Sequence, residues 1–315
     1  MKKLNKKTAF ALSGTLLTGV LLGATEYFYR TAIKRTVVDD DREALFFEKF
    51  GIEQQKEEDE AWLNKQALTE VAITSNDGLQ LKATYIPARM ETLKCVILAH
   101  GYGGKGEEMY GFARLYAESL NYNVLIPDAR GHGKSEGDYI GFGWHERKDY
   151  LKWIHYLLAR HGRQALIALH GISMGGATVL MTSGEELPMQ VKAIVADCAY
   201  TSTSEILTHQ LKQMYQLPAF PFLPLASLYT RLRSGFSFYE ASALKQVQQA
   251  HVPILFFHGD QDKVVPVEMV YRLSETAPEG SERVVVSGAE HGMAYRTDSV
   301  QYEDKLRGFL ARNIR

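Results

Sequence analysis

The segment Gly171-Ile172-Ser173-Met174-Gly175 constrains this chain more than any other feature. It lies between the apolar run Ala165-Leu166-Ile167-Ala168-Leu169 and the small-residue stretch Gly176-Ala177-Thr178-Val179-Leu180. The first reads as a buried strand and the second as the start of a helix, so the segment between them is a sharp strand–turn–helix junction. Its glycines let the two backbones approach where a Cβ would intrude. The turn lifts Ser173 clear of the sheet. A serine hydroxyl becomes a nucleophile only when held beside a base, so Ser173 is the candidate nucleophile. Short G-x-S-x-G matches arise by chance, and the weight rests on the flanking strand and helix.

Other short apolar runs recur along the chain: Val96–Ala99, Val124–Pro127, Leu166–Leu169, Ala193–Ala196, Ile254–Phe257 and Val284–Val286. They alternate with helical patterns near 107–120, 143–161, 175–184, 265–276 and 298–312. Apolar strands alternating with helices predict a mostly parallel sheet covered on both faces. Before them, Val71–Thr74 and Leu79–Tyr85 flank Asn76-Asp77-Gly78 and predict a hairpin. One region breaks the rhythm: residues 201–245 carry helix signals without a strand, and three prolines fall within Leu217–Pro224. An insertion there predicts a helical cap over the sheet edge where ligands bind.

At 315 residues the chain is long enough for one large α/β domain with a substantial core, and a net charge of −1 gives no reason to expect a nucleic-acid partner. Cys95 and Cys198 both sit in apolar contexts and read as buried small hydrophobes. The N-terminus has a different composition. Lys2, Lys3, Lys6 and Lys7 precede an uncharged run from Thr8 to Thr25, and Tyr27-Phe28-Tyr29 follow it. That pattern predicts a signal-anchor or transmembrane segment over residues 1–29, with the lysines cytoplasmic and the catalytic domain outside the cell membrane. A cleaved signal peptide and a secreted product form the alternative, although no A-x-A site stands near Gly23-Ala24-Thr25. Residues 30–65 read as a linker with short docking helices carrying Leu45, Phe46, Phe47, Phe50, Ile52, Trp62 and Leu63. Residues 66–315 form the main domain.

A serine nucleophile needs a base, and the base an orienting acid. In a strand–turn–helix architecture the chain order is Ser, then Asp or Glu, then His. His291, in Gly288-Ala289-Glu290-His291-Gly292, follows the last strand and is the candidate base. Gly259-Asp260-Gln261-Asp262 supplies two acids after the strand Ile254–Phe257. Asp262 lies farther into the loop, with room to turn toward His291, whereas Asp260 suits a turn-closing role. The oxyanion donors would be the backbone N–H groups of Met174 and of Tyr102, in the loop His100-Gly101-Tyr102-Gly103-Gly104.

The stretch Gly101–Gly106 also matches G-x-G-x-x-G, and Asp128 ends the next strand, which suggests a dinucleotide-binding oxidoreductase as a distant alternative. That reading leaves Ser173, Asp262 and His291 unexplained. Asp128–Ser135 resembles the end of a P-loop but lacks its first glycine, and His145-Glu146 has no second histidine at zinc-protease spacing. Neither a cofactor nor a metal is expected.

Four pieces in chain order resemble the α/β-hydrolase superfamily: His100-Gly101-Tyr102-Gly103, Asp128-Ala129-Arg130-Gly131-His132-Gly133-Lys134-Ser135, Gly171–Gly175, and Asp262 with His291. Asp197-Cys198-Ala199-Tyr200-Thr201-Ser202 and Phe257–Pro266, with the N-terminal apolar run, further resemble membrane-anchored or secreted cell-surface hydrolases of Gram-positive bacteria. The resemblance implies an α/β-hydrolase fold with a central, mostly parallel sheet, flanking helices and a helical cap. It implies a serine hydrolase of carboxylic esters with a small-molecule substrate, Ser173 as nucleophile, Asp262 as acid, His291 as base, and Tyr102 and Met174 as oxyanion donors. A peptidase or amidase of the prolyl-oligopeptidase kind, using the same triad, is the second reading.

Overall fold

A computed structural model describes residue 21, residues 23–35 and residues 53–315. Most of the uncharged N-terminal run, and Leu45, Phe46, Phe47, Phe50 and Ile52 of the expected linker, lie outside the described residues. Among the described residues no helix is long and apolar enough to cross a membrane.

Eight strands form one sheet in the order β1-β2-β4-β3-β5-β6-β7-β8. They are β1 (Thr69–Thr74), β2 (Gln80–Ile86), β3 (Lys94–Ala99), β4 (Asn123–Pro127), β5 (Leu166–Ile172), β6 (Val191–Asp197), β7 (Ile254–Gly259) and β8 (Glu282–Val286). The β1–β2 hairpin and the β2–β4 pairing are antiparallel. All later pairings are parallel. Side chains alternate between two cores: Cys95, Ile97 and Ala99 of β3 face one, Val96 and Leu98 the other. Burial on both faces explains why the central strands β3 to β7 are largely apolar.

The helices are α1 (Glu53–Leu63), α2 (Tyr110–Arg114), α3 (Glu146–His161), α4 (Met174–Ser183), α5 (Thr203–Tyr215), α6 (Phe222–Ser234), α7 (Ala243–Val247), α8 (Glu268–Glu275), α9 (Ala294–Thr297) and α10 (Ser299–Asn313). The single helix expected over 107–120 is instead a 3-10 turn at Gly106–Met109, then α2, then a π-turn at Leu115–Ser119. Its start is fixed from outside, because the Gly106 N–H donates to Asp128 at 2.7 Å. Residues 201–245 contain α5, α6 and most of α7, with no strand in the sheet.

The segment that precedes residue 36 is part of the fold. Residues 23–33 are helical, ending in a π-turn at Tyr29–Ile33 with Tyr29 and Ile33 buried. Tyr29 bonds Ser234 of α6 at 2.9 Å, and Arg35 donates to the carbonyls of Gly133 and Ser135 at 2.8 Å. On the other side of the sheet α1 contributes Trp62 and Leu63 to the second core.

Candidate active site

Strands β4 and β5 leave β3 on opposite sides, so the sheet has a switch point at β3/β5, where open α/β sheets bind ligands. Ser173 follows β5 there, with φ 55 and ψ −116, a conformation that costs a non-glycine residue energy and persists only when its surroundings enforce it. Backbone contacts supply that enforcement: the Ser173 N–H donates to Asp197 O, and the Ala177 N–H to Ser173 O, both at 2.9 Å. A Cβ at Gly171 would lie 2.2 Å from Gly175 O, and one at Gly175 would lie 2.0 Å from Ala99 O. Only glycine fits at either position, and this close approach is what holds the serine at the tip.

His291 Nε2 lies 2.8 Å from Ser173 Oγ, and His291 Nδ1 lies 2.7 Å from Asp262 Oδ2. An ionised carboxylate only accepts, so Nδ1 carries the proton and Nε2 presents a lone pair to the serine hydroxyl. Burial opposes charge on Asp262, but hydrogen bonds from His258 and His291, with the backbone N–H of Val265, outweigh it and hold its carboxyl well below the usual range. Val264 and Val265 N–H both donate to Asp262 Oδ1 at 2.8 Å. Asp260 is occupied elsewhere, accepting from Gly288 N–H at 2.7 Å and from the Ser287 hydroxyl at 3.1 Å. Of the two candidate acids, Asp262 is the one that reaches His291.

The loop His100–Gly104 packs on Ser173: a Cβ on Gly101 would stand 3.7 Å from that of Ser173. Two buried histidines shape this loop. His100 Nε2 accepts from Ala129 N–H at 2.9 Å, so its Nδ1 donates to Gly101 O at 2.8 Å. His132 Nε2 accepts from Gly103 N–H at 3.2 Å and its Nδ1 donates to Arg130 O at 2.9 Å. Both must stay neutral to do this, and burial pushes His100 down to about 4 and His132 to about 3. Tyr102 turns its ring onto Phe142, with centroids 5.3 Å apart, and its hydroxyl donates to Ala32 O at 2.9 Å, tying the N-terminal segment to the loop. Met174 opens α4 and is buried.

Asp128 and its loop are structural. Its oxygens accept from Gly106 and Lys134 N–H, and Ser135 Oγ donates to its carbonyl at 2.6 Å. Arg130 is buried in a paired bidentate contact with Asp149 and Asp77. Gly101 of the G-x-G-x-x-G run thus lies against Ser173, and Asp128, the acid that would meet a ribose, is bonded within its own loop.

Two neighbours of Asp262 lie within the stretches that carry the family resemblance, but the sequence assigns them no role. His258, fully buried on β7, donates from Nε2 to Val265 O at 2.9 Å, with Asp262 Oδ2 at 3.3 Å. Burial disfavours its charge, but Asp262, the Val265 carbonyl and Asp197 outweigh that and raise its pKa. Asp197, at the end of β6, is buried with neither carboxyl oxygen hydrogen-bonded. Burial raises its pKa to about 6 against the pull of His258. The Tyr302 hydroxyl bears on Asp197 but bonds His170 Nε2 at 3.1 Å. Among the described residues, Cys198, Asp262 and His291 bring possible metal-donor atoms within 4.8 Å of one another. His291 and Asp262 are bonded to each other, and burial pushes the Cys198 thiol pKa well up.

Residues 94–225 match the family model described as the alpha/beta hydrolase fold. The chain is 30% identical over 242 residues to the uncharacterized protein YqkD of Bacillus subtilis (strain 168), covering 77% of this chain and 79% of that one. It belongs to the α/β-hydrolase family. The fold is similar to that of the Pyrococcus furiosus esterase Pf2001, with a TM-score of 0.64 and 23% identity, over 79% of this chain and 94% of that chain. It is also similar to the Pyrococcus horikoshii acylaminoacyl peptidase, with a TM-score of 0.60 and 17% identity, over 79% of this chain and 42% of that chain.

Proposed function

We propose that this α/β hydrolase is a serine esterase that cleaves carboxylic esters through an acyl-enzyme on Ser173. The reading rests on the hydrogen-bonded chain Ser173–His291–Asp262. His291 Nε2 takes the serine proton as Oγ attacks the ester carbonyl, while Asp262 holds the ring in its tautomer and stabilises the imidazolium. The Met174 N–H at the start of α4 and the Tyr102 N–H receive the developing oxyanion, and loss of one such donor typically costs ~3 kcal/mol of transition-state stabilisation. His291 then protonates the leaving alcohol. Water, activated by the same nitrogen, attacks the acyl-enzyme and frees the acid. An amide would follow the same steps, and comparing turnover of an ester with that of an aminoacyl anilide separates the two substrate classes.

The Ser173→Ala variant should lose p-nitrophenyl acetate hydrolysis by roughly 10⁴-fold or more. Undiminished hydrolysis by this variant contradicts the proposal. The uncharged run before residue 26 supports attachment to the cell membrane with the catalytic domain outside, as in cell-surface hydrolases. Full-length protein should then stay with membranes through an alkaline carbonate wash. A soluble product starting near residue 25 would argue for secretion instead.

A further inference from the structure

The α5–α6 region turns apolar side chains outward. Met214 is 67% exposed, Phe220 78%, Leu228 57% and Leu232 77%. Leu228 and Leu232 are one turn apart and share a face of α6, with Pro224, also exposed, a turn before them. The opposite face of α6, with Leu223, Ala226, Ser227 and Thr230, is already buried. A surface helix ordinarily places polar residues outward, and a contiguous exposed apolar patch marks an interaction site.

Charge selects the partner. From Ile206 through Tyr239 the chain has no Asp or Glu, although the protein has 37 acidic residues. Its Lys and Arg residues in that stretch are Lys212, Arg231 and Arg233. The one acid laid against α6 from outside this stretch in these contacts, Glu26 at Tyr229, is paired with Arg30, and an apolar face whose own stretch brings basic residues and no acid suits an anionic lipid surface. The chain itself leads there: the uncharged run Thr8–Thr25 enters the helical segment 23–33, which packs on α6 through Tyr29 with Ser234 and Glu26 with Tyr229. The same region borders the reaction site. His209 and Gln210 of α5 bond the carbonyls of Lys263 and Val264 beside Asp262 at 3.0 and 2.8 Å, and Ala32 is bonded to Tyr102 of the oxyanion loop.

We propose that the α5–α6 face seats on an anionic bilayer, so that the site takes esters of amphiphiles presented at that surface. The substrate half of this proposal rests on the esterase reading, and the docking half does not.

Full-length protein is reconstituted into phosphatidylcholine–phosphatidylglycerol vesicles. A Leu232→Cys variant is labelled with an environment-sensitive fluorophore, the native Cys95 and Cys198 being buried. Met189→Cys, exposed at the opposite edge of the sheet just before β6, serves as the control. The proposal expects a blue shift and quenching by brominated lipid at position 232 and neither at 189. Equal water exposure at both positions overturns it. Shielding of position 232 that needs no lipid and grows with protein concentration also overturns it, in favour of a second copy. In the same vesicles, joint Leu228→Glu and Leu232→Glu substitution should lower hydrolysis of a vesicle-borne ester about tenfold more than that of soluble p-nitrophenyl acetate. Equal losses contradict the amphiphile half. If the unsubstituted protein hydrolyses neither ester, the esterase reading fails, while the fluorophore still decides the docking.

Discussion

At Asp262, one carboxylate receives His291 Nδ1, the backbone N–H groups of Val264 and Val265, and a longer contact from His258. That concentration of donors fixes both its charge and its direction. Replacing it with Asn removes the acceptor that sets the His291 tautomer, so Asp262→Asn should lower kcat by about 10⁴. Asp260→Asn, whose partners are Ser287 and Gly288, should leave kcat within about threefold, since it touches no reacting group. Steady-state kinetics on both variants check this, and equal losses would misassign the acid. Ser173, Asp262 and His291 were legible because chain order and strand ends place them independently of distance. Asp197 and His258 were not, because they meet only through the lateral pairing of β6 with β7, which puts Asp197 opposite Phe257. Asp197 did leave a trace, as an acid ending an apolar strand at the ligand-binding edge.

At the scale of elements, the β5–α4 junction works because two backbones approach more closely than any side chain permits. Gly175→Ala would place a methyl 2.0 Å from the Ala99 carbonyl, a backbone atom held by the β3–β5 pairing. The expected cost is about 3 kcal/mol or more, read as a lowered denaturation midpoint together with lost hydrolysis. An unchanged midpoint would mean that the junction is looser than these contacts imply. Strands β3 to β7 were legible because burial on both faces leaves a nearly uninterrupted apolar run, whereas β1 and β2, exposed or half-buried on one face, were legible from the Asn76-Asp77-Gly78 turn between them. The region 107–120 was less so, since its hydrophobic spacing does not reveal the 3-10 and π-turns on either side of α2. Nor does sequence periodicity show that residues 23–33 pack on α6, because those contacts join residues about two hundred positions apart.

For the whole molecule, buried ionisable groups set how stability changes with pH. His100, His132 and His170 are buried and neutral, with pKa values pushed by burial from 6.5 to about 4, about 3 and about 3. The unfolded chain binds protons at these sites first, so their contribution is complete above pH 6.5 and is lost as pH falls toward 3, up to ~3–5 kcal/mol for each. Asp197 has the opposite sign. Its folded pKa of about 6 lies above the ordinary 3.8, so stability is fullest below 3.8 and declines as pH rises through 6. Asp197→Asn should therefore raise unfolding stability by roughly 2–3 kcal/mol at pH 8 and leave it nearly unchanged at pH 3.5. Denaturant titrations at the two pH values check this, and an equal shift at both would show that Asp197 is not held protonated by burial.

The central claim is a covalent one: Ser173, activated by His291, carries the acyl group. Intact-mass and peptide analysis of the full-length protein after reaction with a fluorophosphonate tests it most directly. The account predicts a single adduct, located on Ser173, that forms far more slowly in His291→Ala. No adduct on the folded protein, or one on a residue other than Ser173, would contradict it.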